Sequence, residues 1–248
     1  METLSTYFAC SRLNDTTFVI IEDDKQGGYP FIYAKVFAST CHCLRVFLET
    51  YPIVDNDENP LNAGSSKNYA SSYDKPFVNE DSKLRTSSLC RFLGIETLKY
   101  VVMTGERGED LGPVIYHTPG HTPDELAVWN PQERVTFVGD TMYEWMHIAF
   151  PLEGDLRLYS NTLGKLRSLV TAWNNCPSYQ NSNRFLCQVI EGMVDSQDQG
   201  EFRDEPLISY DREDGKISFI GPKKLFDEFR KDREAVRAIR ERQEIFNA

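Results

Sequence analysis

Between residues 98 and 139 four short apolar runs follow one another: LKYVVM, GPVIYH, ELAVW and RVTFVG, parted by the polar turns ERGED, TPGHTPD and NPQE. Apolar runs of this length, closed by Gly, Pro, Asn and Asp, read as successive β-strands. A chain that lays down such a sheet must cover it with a second layer. Candidate helices supply that layer. DLRLYSNTLGKLRSLVTAW (155–173) has apolar residues at helical spacing and is expected to face the core. PKKLFDEFRKDREAVRAIRERQEIF is expected to run as one long charged helix, with Pro222 at its first position.

The flanks fit the same class. TTFVIIED (16–23) and YPFIYAKVF (29–37), joined by DKQGG, form an expected hairpin. CHCLRVFLETY reads as a helix over about 42–51 that stops before Pro52. SSLCRFLGI (87–95) is a helical turn closed by Gly94, and FLCQVI (185–190) and KISFI (216–220) are two further strands. Residues 52–75 are polar and rich in Asn, Gly and Ser, and read as a loop or as the place of a missing segment. The expectation is a single domain over 1–248, of layered α/β class.

Charge and cysteine usage narrow the function. The formal net charge is −11, a field that repels phosphate backbones and anionic membrane surfaces, so neither nucleic acid nor membrane is an expected partner. No apolar run approaches the length of a membrane span, and METLSTYFACSRLNDTTF does not read as a signal peptide, so the expected location is cytoplasmic. The six cysteines are then expected as free thiols. Cys41-His42-Cys43 tempts as a zinc cluster, but no second pair follows at a spacing that would close a tetrahedron.

Two of the chain's four histidines flank a Pro-Gly turn in YHTPGHTPDEL (116–126), and FVGDT (137–141) follows shortly after. His121 stands just past a strand end, placed to project into a cleft. Asp140 stands at the tip of a buried strand, where Gly139 permits close backbone approach. Imidazole nitrogen and carboxylate oxygen are both zinc donors, so the pair could share a metal. Equally, His121 could cap its turn and Asp140 accept bonds from the next loop's amides. The remaining candidates have structural readings: His117 is a hydrogen-bonded turn histidine, His147 a loop histidine, Asp124 and Glu125 flank a strand, and Trp129 and Trp145 belong to core or cleft wall.

TPGHT followed by FVGDT resembles the metallo-β-lactamase superfamily, in which these motifs occur in this order. The wider block from YHTPGHTPDELAVW through FVGDTMYEWMHIAFPLEGDL is similar to the fungal branch of these metal-dependent hydrolases. LNDTTFVIIEDDKQGGYPFIYAKVF and DGKISFIGPKKLFDEFR are similar to their two ends. The resemblance implies an αβ/βα sandwich and a zinc-dependent hydrolase of a small-molecule lactam, ester or thioester. It implies His121 and Asp140 as metal ligands, with Asp140 bridging both metals and orienting the attacking hydroxide.

The same resemblance exposes what is missing. The family's His-x-His-x-Asp-His ligand motif is absent; its place falls between Lys67-Asn68-Tyr69 and Ala70-Ser71-Ser72-Tyr73, which here abut. A second gap follows Val36-Phe37-Ala38, where relatives carry an Asp-Thr-Gly turn. A last histidine, due near Val189 or Ile190, has no counterpart in FLCQVIEGMVDSQD. A catalytic zinc takes three protein ligands and an open position, so weak or absent zinc binding is expected. Three readings follow: a zinc hydrolase with a small-molecule substrate, a silent relative with a scaffold or interaction role, and an incomplete gene product. The sequence sets neither substrate nor oligomeric state.

Overall fold

A computed structural model describes residues 114–131, 134–143, 146–171, 177–202 and 204–247, together with the backbone of six strands earlier in the chain. The chain divides into two compact units, Met1–Asn68 and Tyr69–Ala248.

The first unit contains an antiparallel meander of β1 (Phe8–Arg12), β2 (Thr17–Glu22), β3 (Phe31–Val36) and β4 (Cys43–Arg45). The expected hairpin is its β2–β3 pair, registered from Thr17 opposite Lys35 to Ile21 opposite Phe31. The helix expected from residue 42 is a correction. Cys43, Leu44 and Arg45 pair with Val36, Lys35 and Ala34. Ladder bonds to a neighbouring strand outweigh a helical periodicity that is only a weak local preference. Residues 46–51, the helical turn at 87–95, and Cys41-His42 lie outside the described residues.

In the second unit β5 (Tyr69–Ser71) pairs in parallel with β6 (Val101–Met103). The Tyr69–Ala70 junction thus lies inside a strand, within the stretch read as loop. β7 (Val114–His117), β8 (Leu126–Asn130) and β9 (Val135–Phe137) form an antiparallel meander, as their turn-separated runs predict. A further sheet has the order β10-β13-β12-β11, built from β10 (His147–Ala149), β11 (Gln197–Phe202), β12 (Glu205–Asp211) and β13 (Ser218–Pro222). β10 runs parallel to β13, and the other two pairs are antiparallel.

Among the described residues this unit has four helices: α1 (Leu156–Thr171), α2 (Ser178–Ile190), α3 (Lys223–Lys231) and α4 (Arg233–Asn247). α1 is the expected core helix, opened by Asp155, whose Oδ1 accepts from the amides of Arg157 and Leu158. α2 corrects the strand expected at 185–190. Tyr179, Ser182, Asn183, Phe185, Leu186, Val189 and Ile190 are buried, which is the stripe of one helical face. The six residues FLCQVI show only part of that stripe, too little to tell helix from strand.

The single C-terminal helix is also corrected. Asp232 leaves helical geometry at ψ 95°, and its side chain caps the amides of Glu234 and Ala235, so α3 ends and α4 begins there. Pro222 closes β13 at ψ 130° instead of opening the helix.

One core joins the helices to the β10-β13-β12 face. Phe219 meets Phe185 at 5.1 Å and Phe150 at 5.7 Å, and Tyr210 meets Phe226 at 5.0 Å. Burying each such side chain contributes roughly 1.5–3 kcal/mol. The architecture is mixed α/β, consistent with the expected αβ/βα sandwich. Among the described residues, no helix is long and apolar enough to cross a membrane.

Candidate functional site

β7 ends at His117, and the turn that follows folds back on β8. The Thr118 amide donates to the Glu125 carbonyl at 2.9 Å, extending the ladder by one step. Between these residues Pro119-Gly120 turns sharply, with Gly120 at φ 144°, which side-chain-bearing residues rarely adopt. The tip is pinned by Thr122 Oγ1 donating to Asp124 Oδ1 and by His117 Nε2 at 2.8 Å from the Pro123 carbonyl. His117 is thus a hydrogen-bonded turn histidine.

His121 is buried. Its Nε2 lies 2.6 Å from the Ala149 carbonyl oxygen at the end of β10, and its ring stands 5.9 Å from that of Phe150. A carbonyl only accepts, so Nε2 carries the proton and Nδ1 holds the ring's one lone pair. Burial pushes the imidazole pKa down to about 4, against a smaller upward pull from the bond to Ala149. The ring is therefore neutral at pH 7.

Asp140 sits in the 3-10 turn Gly139–Thr141 that follows β9, entered through Gly139 at φ 56°. It is buried, as is Thr141, and the turn packs beside β10. The structure thus brings His121 and Asp140 to the same strand. It also adds Glu125, read from sequence only as a strand flank. Glu125 is 7% exposed and faces Thr118 across the β7–β8 ladder. Its carboxyl pKa is raised well above the ordinary range, first by burial and then by the charge of Asp124. The Thr141 hydroxyl and the amides of Asp140 and Thr141 are near enough to temper that shift, but none reaches hydrogen-bond geometry with its oxygens. Sequence periodicity does not reveal Glu125, because β8, buried over Ala127–Asn130, shows no alternation.

Other sequence candidates fall away from the site. His147 belongs to strand β10, not a loop; it is exposed, with Nδ1 3.7 Å from Asp211 Oδ1. Trp129 is a core residue of β8, and Trp145 lies outside the described residues. Cys187 is a buried free thiol whose pKa burial raises to about 11, too high for a nucleophile at neutral pH. Near Val189 and Ile190, where the last ligand was due, α2 presents a buried apolar face, and Arg230 donates to the Val189 carbonyl.

Among the described residues, the donor set does not fit a resident zinc ion. His121 offers one lone pair and Asp140 one carboxylate, whereas a catalytic zinc takes three protein ligands. Among the described residues, no three His, Cys, Asp or Glu side chains come together in a metal-holding group.

The comparisons bear on the same segment. Residues 103–173 match the model of the metallo-beta-lactamase superfamily, a span that takes in both TPGHT and FVGDT and bears out the resemblance. This superfamily commonly binds zinc. A fungal protein of Aspergillus versicolor, named "Putative transcription factor avaE", is 27% identical over 267 aligned positions, covering 78% of this chain and 80% of that protein. Those 267 positions outnumber the 248 residues of this whole chain, so the relative carries residues within the matched span that have no counterpart here.

Proposed function

We propose that this chain, metallo-β-lactamase-like in its middle, is a hydrolase scaffold with a degenerate metal site. It turns over little or no lactam, ester or thioester. The observation that carries this reading is that His121 and Asp140 are joined by no third donor among the described residues. Hydrolysis requires an activated water and a stabiliser for the oxyanion. In an intact site zinc supplies the first, and His121 and Asp140 are the ligand positions of the family that this chain retains. Two donors hold a metal weakly and leave its geometry loose. We read both compact units as parts of one cytoplasmic domain.

The reading is supported by the length of the aligned span, which leaves the A. versicolor protein with residues this chain lacks. Whether this protein's transcript encodes a His-x-His-x-Asp-His segment that the chain lacks decides between an incomplete gene product and a silent relative. Sequencing the transcript across Tyr69–Ala70 and Ala38 answers it.

A second reading, a regulatory role through protein contacts, is favoured by the name of that relative. The net charge of −11 weighs against direct contact with DNA phosphates.

The test is turnover of a chromogenic β-lactam, an aryl ester and a thioester in zinc-supplemented buffer. Rates equal to buffer are expected. Zinc-dependent turnover that Asp140→Ala abolishes would overturn the proposal.

A further inference from the structure

The segments bearing His121 and Asp140 are not adjacent in sequence, and each leaves its β-strand before reaching that residue. Something must hold them in register, and the first two turns of α1 touch both. The Asp155 amide donates to the Gly120 carbonyl at 2.8 Å, and Thr162 Oγ1 donates to the Pro119 carbonyl at 2.7 Å. Gly120 lies so close to the helix that a Cβ there would stand 2.3 Å from the backbone N and Cα of Tyr159. The Tyr159 hydroxyl, reaching the other way, donates to the Thr141 carbonyl at 2.9 Å, one residue beyond Asp140.

These contacts close a circuit. His121 bonds the Ala149 carbonyl; the next residue, Phe150, meets the Tyr159 ring edge-on at 5.1 Å; Tyr159 bonds the Asp140 turn. Tyr159 is fully buried and Thr162 is 1% exposed, so water does not compete for either bond.

We infer that α1 is a metal-independent lock on the candidate site, with Tyr159 and Thr162 as positioning residues that fix the Pro-Gly-His loop against the Gly-Asp-Thr turn. The lock consists of protein contacts alone, so it stands whether or not the degenerate-site reading of function does. A group held this way keeps its place without a ligand to organise it.

The experiment reads the exchange rate of the His121 Nε2 proton by nitrogen-resolved NMR in the full chain, with the amides of Leu186 and Phe219 reporting global opening. In the wild-type protein the His121 proton exchanges slowly, and adding a chelator leaves it unchanged. Thr162→Val and Tyr159→Phe, each deleting one hydroxyl, speed it by about tenfold, while Leu186 and Phe219 hold their rates. Thr162→Ser keeps the hydroxyl and the slow rate. Unchanged His121 exchange in both deletion variants overturns the inference. So does equal acceleration at all three reporters, which makes the contacts part of the general core. Acceleration by chelator in the wild type overturns it too, since a metal would then hold the loops.

Discussion

Replacing Gly120 with alanine tests the closeness on which the site depends. The new methyl would sit 2.3 Å from the N and Cα of Tyr159 and 2.7 Å from its Cβ. Non-bonded carbons prefer about 3.5–4.0 Å, so the helix or the loop must yield by more than an ångström. The neighbour is helix backbone, not a flexible side-chain end, so relief requires moving the first turns of α1. That movement strains the bonds from Asp155 to Gly120 and from Thr162 to Pro119. Overpacking of this kind costs about 1–3 kcal/mol. The positive φ of 144° adds about 1–3 kcal/mol for a side-chain-bearing residue. Gly120→Ala should therefore destabilise by about 4 kcal/mol, read as a fall in the urea midpoint at constant slope. Gly200→Ala is the control: φ is also positive, at 79°, but nothing lies within 4 Å of the added methyl. It should lose only about 1 kcal/mol of strain. Equal losses at the two sites would refute the close-approach argument, and a loss under about 1 kcal/mol at Gly120 would refute the lock altogether.

Two pH-dependent predictions have opposite signs. The His121 imidazole has its folded pKa lowered from 6.5 to about 4, so below pH 6.5 the unfolded chain takes up a proton that the folded chain refuses. Its contribution is complete above about pH 6.5 and is lost as the pH falls toward 4, on the order of 3 kcal/mol in all. His121→Gln should flatten that slope in urea melts taken across the window; an unchanged slope would disprove the assignment. Glu125 works in reverse: its raised pKa makes the folded chain hold a proton that the unfolded chain releases, so its burial becomes less favourable as the pH rises above the ordinary carboxylate range. Glu125→Gln should then stabilise the protein at pH 7 and do so less at pH 4; destabilisation at neutral pH would mean that the carboxylate has a charged partner.

How far the sequence announced these features depended on the kind of signal each left. β7, β8 and β9 are separated by turn residues with a mechanism, and α1 spreads its apolar stripe over several turns, so all four were visible. β11 was not, because QDQGEF is exposed along its whole length and carries no apolar alternation. α2 looked like a strand because its apolar residues cluster at its end, and its helical face emerges only with Tyr179 and Ser182. The site divided in the same way. Motif spacing pointed to His121 and Asp140, but nothing in it could say that Nε2 is bonded to Ala149, 28 residues away. Tyr159 and Thr162 were visible only as helix positions, since their loop contacts are set by tertiary packing.

The central claim, a hydrolase scaffold whose metal site no longer closes, is tested most directly by metal content. The full chain would be passed through gel filtration in metal-free buffer and its zinc measured by elemental analysis. The expected content is well under one zinc ion per chain, because His121 and Asp140 supply two donors where about three are needed to retain a catalytic metal. Two tightly held ions per chain would contradict it.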